Sequence, residues 1–140
     1  MYFYQLDHLI LTVTDLTTSL RFYAEVLQMP VITFGNSRKA VQIGHQKINF
    51  HVAEAPIVPH AKYPPPGAAD ICLLTDIPLS ALIADLETAG IAVALGPVRR
   101  PGGQSPLWSI YFRDPDGNLI EVANPVLLEA PLLETGCAPF

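Results

Sequence analysis

Five polar side chains stand inside apolar, strand-like runs of this 140-residue chain. His8 lies in LDHLILTVTDL, Asp70 in AADICLLTDI, Asn49 and His51 in KINFHV, and Glu121 in NLIEV. A carboxylate in such a run is costly to bury unless it is paired or holds a cation. One histidine with two carboxylates, and a second histidine in reach, suits a divalent ion such as Mn, Fe(II), Co, Ni or Zn. An ion with three or four protein ligands keeps positions open, where a substrate with two adjacent oxygens chelates. The ion then acts as a Lewis acid on developing oxyanion charge, and a neighbouring histidine or carboxylate moves the proton. The alternative is a buried ionic cluster that only joins two parts of the chain.

The elements that must position these residues come in a near-repeat. A shift of 62 places His8 on Asp70, Leu9 on Ile71, Leu11 on Leu73 and Val31 on Val93, and Thr14-Asp15-Leu16 matches Thr75-Asp76-Ile77 with one residue dropped. Residues 4–13 alternate as a strand, with Leu6, His8, Ile10 and Thr12 on one face, expected to look into the interior. Asp15 caps a helix through Leu16, Leu20, Phe22, Tyr23, Val26 and Leu27, which Pro30 stops. Short strands are expected near 31–35, 39–44 and 47–53.

Five prolines between Ala55 and Gly67 exclude a helix or inner strand, so 55–67 reads as an extended linker. A strand over 69–75 follows, on which Asp70 shares a face with Cys72 and Leu74. Next come a helix over 79–88 closed by Gly90 and strands near 91–98, 107–113 and 118–124. The last two are joined by the turn Asp114-Pro-Asp-Gly117. Glu121 shares its face with Leu119 and Ala123. The order is β-α-β-β-β, twice: an α+β fold of modules 4–54 and 68–125, in a single domain over 1–125 with a tail over 126–140. The second module is longer: 41 residues separate His8 from Asn49 and 51 separate Asp70 from Glu121. Most of the excess falls in RRPGGQSPL, read as a loop whose Arg99 and Arg100 either clamp an anionic substrate or are simply solvated.

Half the residues are hydrophobic, enough for a core, and the net charge of −5 with scattered Lys and Arg argues against nucleic-acid binding. No apolar run approaches the length of a membrane span. Cys72 and Cys137 have no metal-like spacing, and they read as one buried and one exposed thiol in a reducing compartment. The expectation is a soluble, cytoplasmic protein.

With these residues on the page, the chain resembles the vicinal oxygen chelate superfamily of glyoxalase I, extradiol dioxygenases, fosfomycin-resistance enzymes and bleomycin-resistance proteins. LDHLILTVTDLTTSLRFYAEVLQM is similar to its first strand and helix, and IYFRDPDGNLIEVAN to its closing hairpin. The middle, NSRKAVQIGHQKINFHVAE through PPPGAADICLLTD, is similar to the branch called glyoxalase domain-containing protein 5, with its virulence-associated bacterial members. The resemblance covers roughly residues 4–125.

It implies two modules whose sheets curl into a cup around a site, and a homodimer. It also implies His8 and Glu121 as metal ligands. Asp70 stands where many members have histidine, and Asn49 stands where four-ligand glyoxalases have glutamate. The set expected is His8, Asp70 and Glu121, with His51 as fourth ligand or proton shuttle, and His51 and Glu121 as the catalytic pair. The function expected is a metal-dependent lyase, isomerase or dioxygenase acting on a small molecule. The alternative is a bleomycin-resistance-like protein that sequesters a small molecule without turnover. The apolar tail residues Val126, Leu127, Leu128, Leu132, Leu133 and Phe140 are expected to pack on a partner or over the cup, the alternative being the chain's own helices.

Overall fold

The alternation of residues 8–13 produces β1 (His8–Val13), the first of eight strands in a computed structural model that describes residues 1–126. The expected packing of Cys137 and of the tail beyond Val126 lies outside the described residues. The strands that follow are β2 (Val31–Phe34), β3 (Arg38–Ile43), β4 (Gln46–Val52), β5 (Asp70–Leu74), β6 (Leu95–Arg100), β7 (Leu107–Arg113) and β8 (Leu119–Pro125). They form two four-stranded sheets with the same order, β1-β4-β3-β2 and β5-β8-β7-β6. The outer pairs β1/β4 and β5/β8 are parallel and the rest antiparallel. The twofold β-α-β-β-β order is thus the architecture of the chain. Two compact units result, 1–69 with 114–118, and 70–113 with 119 onward.

In the first unit the strand starts later than expected. Its first ladder pair is His8↔Lys47, and β4 begins at Gln46, so residues 4–6 have no strand to pair with. Asp15 does cap α1 (Leu16–Leu20), its carboxylate accepting from Thr17 N–H and Thr18 Oγ1 at 3.0 Å each. Such a cap contributes about 1 kcal/mol. The helix continues into a π-helical turn, Arg21–Val26, that buries Phe22 and Tyr23. It ends before Pro30, because Gln28 already adopts a left-handed φ of 58°. The core lies on the face of Leu11, Val13, Ile48 and Phe50, with Tyr23 edge-on to Phe22 at 5.0 Å and tilted on Phe50 at 5.5 Å.

That packing corrects one expectation. The buried face of β1 is Leu11 and Val13, whereas Leu6, His8 and Ile10 are exposed. Apolar neighbours at alternate positions did not mean an interior in this case, because the helix covers the opposite face.

In the second unit α2 (Leu79–Thr88) matches its expected limits, and Gly90 closes it with a left-handed φ of 74°. Leu86 is fully buried, in a core that holds Ile110, Phe112, Ile120 and Val122. Burying each such side chain contributes roughly 1.5–3 kcal/mol. β6 begins at Leu95, not at 91, and Pro97 sits at its register irregularity. β6 is an edge strand, where a missing N–H breaks no inner ladder. It extends through Arg100, so Arg99 and Arg100 are strand residues and not loop residues.

Candidate functional site

In the first unit, parity and register bring one set of polar residues to the face opposite the core. His8, Ile10 and Thr12 of β1 pair with Lys47, Asn49 and His51 of β4. Asn49 in turn pairs with Ala40 of β3, which places Arg38 on the same face, and Arg38 pairs with Phe34 of β2. Asn49 and His51 therefore both belong to this face. Asn49 is 3% exposed and His51 4% exposed.

His8 is the open member of the set, its side chain 43% exposed. Its Nδ1–H donates to Asp7 Oδ1 at 2.7 Å, so Nε2 is the ring nitrogen not engaged by that bond. Arg38 Nη2 lies 3.3 Å from His51 Nε2. A guanidinium only donates, so Nε2 must accept and a neutral His51 carries its proton on Nδ1. Burial first, and then the charges of Arg38 and His60, lower the His51 pKa, so the imidazole stays neutral at pH 7.

The proline-rich segment does not run free as a linker. It roofs a cavity of about 380 Å³ over this part of the unit. Ile10, Thr12 and His51 line it from the sheet, His60, Tyr63, Pro64 and Pro65 from the segment, and Asn118 from the turn. The segment is anchored at its end. Asn118 Oδ1 accepts from Ala69 N–H at 2.8 Å, and at Gly67, with φ of 85°, an added Cβ would strike the carbonyl oxygen of Asp116.

The turn itself is held by a buried carboxylate. Asp114 accepts from the N–H groups of Asp116 and Asn118 at 2.9 Å, and from Asn118 Nδ2 and Tyr23 Oη at 2.7 Å. Burial and then the Asp114 charge push the Tyr23 hydroxyl far above its usual pKa, so it remains a donor. The turn signal was legible in the sequence; the acceptor role of its first aspartate needed the fold.

In the second unit the corresponding face carries acids. Asp70 pairs with Leu119 and Cys72 with Glu121, so Asp70 and Glu121 are diagonal neighbours on adjacent parallel strands. Asp70 and Cys72 are exposed. This corrects the expectation of a buried Asp70 and a buried thiol, since the core again lies on the opposite face. The Cys72 sulfur is nevertheless partly desolvated. That desolvation, followed by the charge and hydrogen bond of Glu121 and the charge of Asp70, pushes its pKa up to about 11.

Tyr111 pairs with Glu121 across β7/β8 and accepts from Arg100 Nε at 3.1 Å. Desolvation is the first cause of its raised pKa; Glu121 adds to the rise and the Arg100 hydrogen bond opposes it. Arg100 was one of two arginines read as a possible anion clamp, whereas Tyr111, Arg38, Lys47 and Asp7 were not assigned to a site from spacing. Face assignments across three or four strands depend on register, which one-dimensional alternation does not contain.

The donor types fit a divalent ion when taken residue by residue. His8 has a carboxylate-oriented ring and a free Nε2, as metal-ligating histidines do, and Asp70 and Glu121 offer two carboxylates on one face. Among the described residues no three His, Cys, Asp or Glu side chains are grouped closely enough to hold an ion.

Comparison with known proteins defines the class. Residues 5–122 match the Glyoxalase/Bleomycin resistance protein/Dioxygenase superfamily, and the chain belongs to that family. Among its relatives is the virulence protein STM3117 of Salmonella typhimurium, 47% identical over 119 residues, which cover 85% of this chain and 83% of that protein. The crystal structure of STM3117 superposes with a TM-score of 0.87, at 46% identity, covering 90% of this chain and all of the other. The glyoxalase domain-containing protein RDO1 of Mycosarcoma maydis is 42% identical over 119 residues, 85% of this chain and 67% of that one.

Two distant structures share the fold alone. TnmS3, an antibiotic binding protein from Streptomyces sp. CB03234, has a TM-score of 0.71 at 24% identity, covering 90% of this chain and 99% of that one. A lactoylglutathione lyase from Agrobacterium tumefaciens has 0.65 at 20%, covering 86% and 92%. Among the described residues no helix is long and apolar enough to cross a membrane.

Proposed function

We propose that this protein is a metal-dependent enzyme of the glyoxalase/dioxygenase superfamily. Its substrate is a small molecule with two adjacent oxygens, and its reaction is of the lyase, isomerase or dioxygenase type. His8, Asp70 and Glu121 would hold the divalent ion, one of Mn, Fe(II), Co, Ni or Zn. The observation that carries this reading is the 2.7 Å bond from His8 Nδ1 to Asp7, which orients the ring and leaves Nε2 as the nitrogen a metal would take. When bound, the ion supplies Lewis-acid stabilisation of negative charge on the substrate oxygens.

The protein's own residues do the rest. His51, neutral and at the cavity wall, exchanges the proton, and Glu121 is both ligand and acid–base neighbour. Thr12 and Tyr63 line the same cavity as His51. A homodimeric, cytoplasmic protein completes the proposal.

A second reading, sequestration of a small molecule without turnover, is favoured by one observation. The cavity of about 380 Å³ has the size of a small-molecule pocket whether or not an ion is present. Elemental analysis separates the two. Protein purified without chelator, and again after reloading with Mn, Fe(II), Ni or Zn, is expected to hold about one ion per chain, and His8→Ala to lose it. Retention by His8→Ala, or no binding of any of these ions by the parent protein, overturns the enzyme proposal and leaves the sequestering one.

A further inference from the structure

The cavity under the proline-rich segment has no charged wall. Among the described residues no Asp, Glu, Lys or Arg side chain lines it. Arg38 and Lys62 touch wall residues without lining it: Arg38 Nη2 donates to His51, and Lys62 Nζ lies 5.3 Å from the Tyr63 ring centroid. Much of the wall is apolar. Pro64 and Pro65 have no N–H to offer a ligand. Ile10, on the sheet side, is left 43% exposed, an apolar surface that a seated ring would cover.

The polar wall groups divide into spent and unspent. Asn118 is spent, since its Oδ1 accepts from Ala69 N–H and its Nδ2 donates to Asp114. The two imidazoles are each half spent, at opposite nitrogens. His51 Nε2 is taken by Arg38, so the proton is on Nδ1. That Nδ1–H has no partner among the described residues, and it is not sealed off as Asn49 Oδ1 is. His60 Nδ1 lies 2.8 Å from the carbonyl oxygen of Ala61. A carbonyl only accepts, so Nδ1 donates and a neutral His60 keeps Nε2 as an acceptor. One cavity thus offers one imidazole donor and one imidazole acceptor.

We propose that this cavity binds a neutral, ring-bearing molecule through a hydroxyl that accepts from His51 Nδ1–H and donates to His60 Nε2. The ligand class is a phenol. A hydroxyl is the smallest group that does both jobs without a charge. The ring fills the apolar part of the cavity, beside Ile10 and the two prolines, and a carboxylate in its place would lose its hydration to walls that carry no cation. The site stands apart from His8. Thr12 pairs with His51 and His8 with Lys47, four residues further back along the same strands, about 13 Å at roughly 3.3 Å per residue. The inference rests on the reading that this cavity takes the small molecule, and it deepens that reading by naming the molecule's chemistry. It does not rest on the ion.

That separation supplies the test. Chelator-treated, full-length protein is titrated with phenol, anisole and benzoate at about pH 8, where imidazoles are neutral, and followed by amide NMR. Phenol is expected to move the signals of Thr12, Ala61, Ala68 and Ala69 and to leave those of His8 and Lys47 in place. Anisole, which accepts but cannot donate, is expected to bind more weakly, and benzoate not at all. His60→Leu, at an exposed position, removes the acceptor and keeps an apolar wall. It is expected to weaken phenol roughly fivefold to tenfold, the loss of one neutral hydrogen bond, with anisole unchanged. Benzoate binding as tightly as phenol, anisole matching phenol, unchanged phenol affinity in His60→Leu, or no shift at the cavity residues overturns the proposal. Failure of the metal reading leaves these titrations unchanged, because they contain no metal.

Discussion

The two units share one topology and differ in what their outer faces carry. Superposing the registers sets His8 beside Asp70, Ile10 beside Cys72 and Thr12 beside Leu74. On the neighbouring strand it sets Lys47 beside Leu119, Asn49 beside Glu121 and His51 beside Ala123. The first face is thus basic and amide-bearing, with Arg38 and Lys47 on Phe34. The second is acidic, with Asp70 and Glu121 around a thiol held protonated. The ladder hydrogen bonds use backbone atoms only, so a repeat can keep its fold while its outward side chains diverge. The outward charges of the two repeats have therefore diverged in opposite senses on one shared topology.

The comparison breaks most sharply at the matched pair Glu121 and Asn49. Glu121→Ala is expected to abolish stoichiometric metal binding with the far-ultraviolet circular dichroism unchanged, whereas Asn49→Ala is expected to keep the ion. Loss of metal in both variants would show that Asn49 too is needed to hold the ion.

The helices provide a second contrast. Each buries one large residue completely, Leu86 in α2 and Tyr23 in the π-helical turn. Leu86→Ala leaves an apolar cavity and is expected to cost about 2–5 kcal/mol. Tyr23→Phe keeps the ring but leaves the buried Asp114 short of one donor, and is expected to cost about 1–3 kcal/mol. Urea unfolding of both variants measures the difference. A Tyr23→Phe protein as stable as its parent would remove the buried carboxylate from the account of the first unit.

The smallest expected effect is one of pH. The folded state lowers the His51 pKa below its ordinary value of 6.5, so below that value the unfolded chain takes up the proton more readily than the folded one. The stability tied to a neutral His51 is present above pH 6.5, and it is lost as the pH falls from 6.5 through the lowered folded value. The urea midpoint of the parent protein should therefore fall more between pH 7 and pH 5 than that of His51→Gln. Parallel profiles would place His51 outside the desolvated, Arg38-facing setting described for it.

Much of this architecture was legible without the fold. The alternation of β1, the Asp15 cap, the Gly90 stop and the proline cluster are local signals, and each acts over a few residues. The fold class followed because the same order of signals occurs twice. Local signals did not reveal which face of each strand is covered. His8, Ile10, Asp70 and Cys72 have the alternation of inward-facing residues, yet they are exposed because each helix packs on the other side.

Residue types and their order along the chain therefore determined the elements, their twofold sequence and the chemistry on offer: imidazole, carboxylate, amide and thiol at repeated positions. Only the tertiary structure decided how those groups meet. Cross-strand register set Arg38 against His51 and Cys72 against Glu121, and the folding-back of residues 55–67 placed a roof over Thr12 and His51. The physical reason is one of range: capping, turns and alternation are settled by nearest neighbours. Register, burial and pKa depend on which distant segment arrives beside a residue, and that is settled by packing of the whole unit.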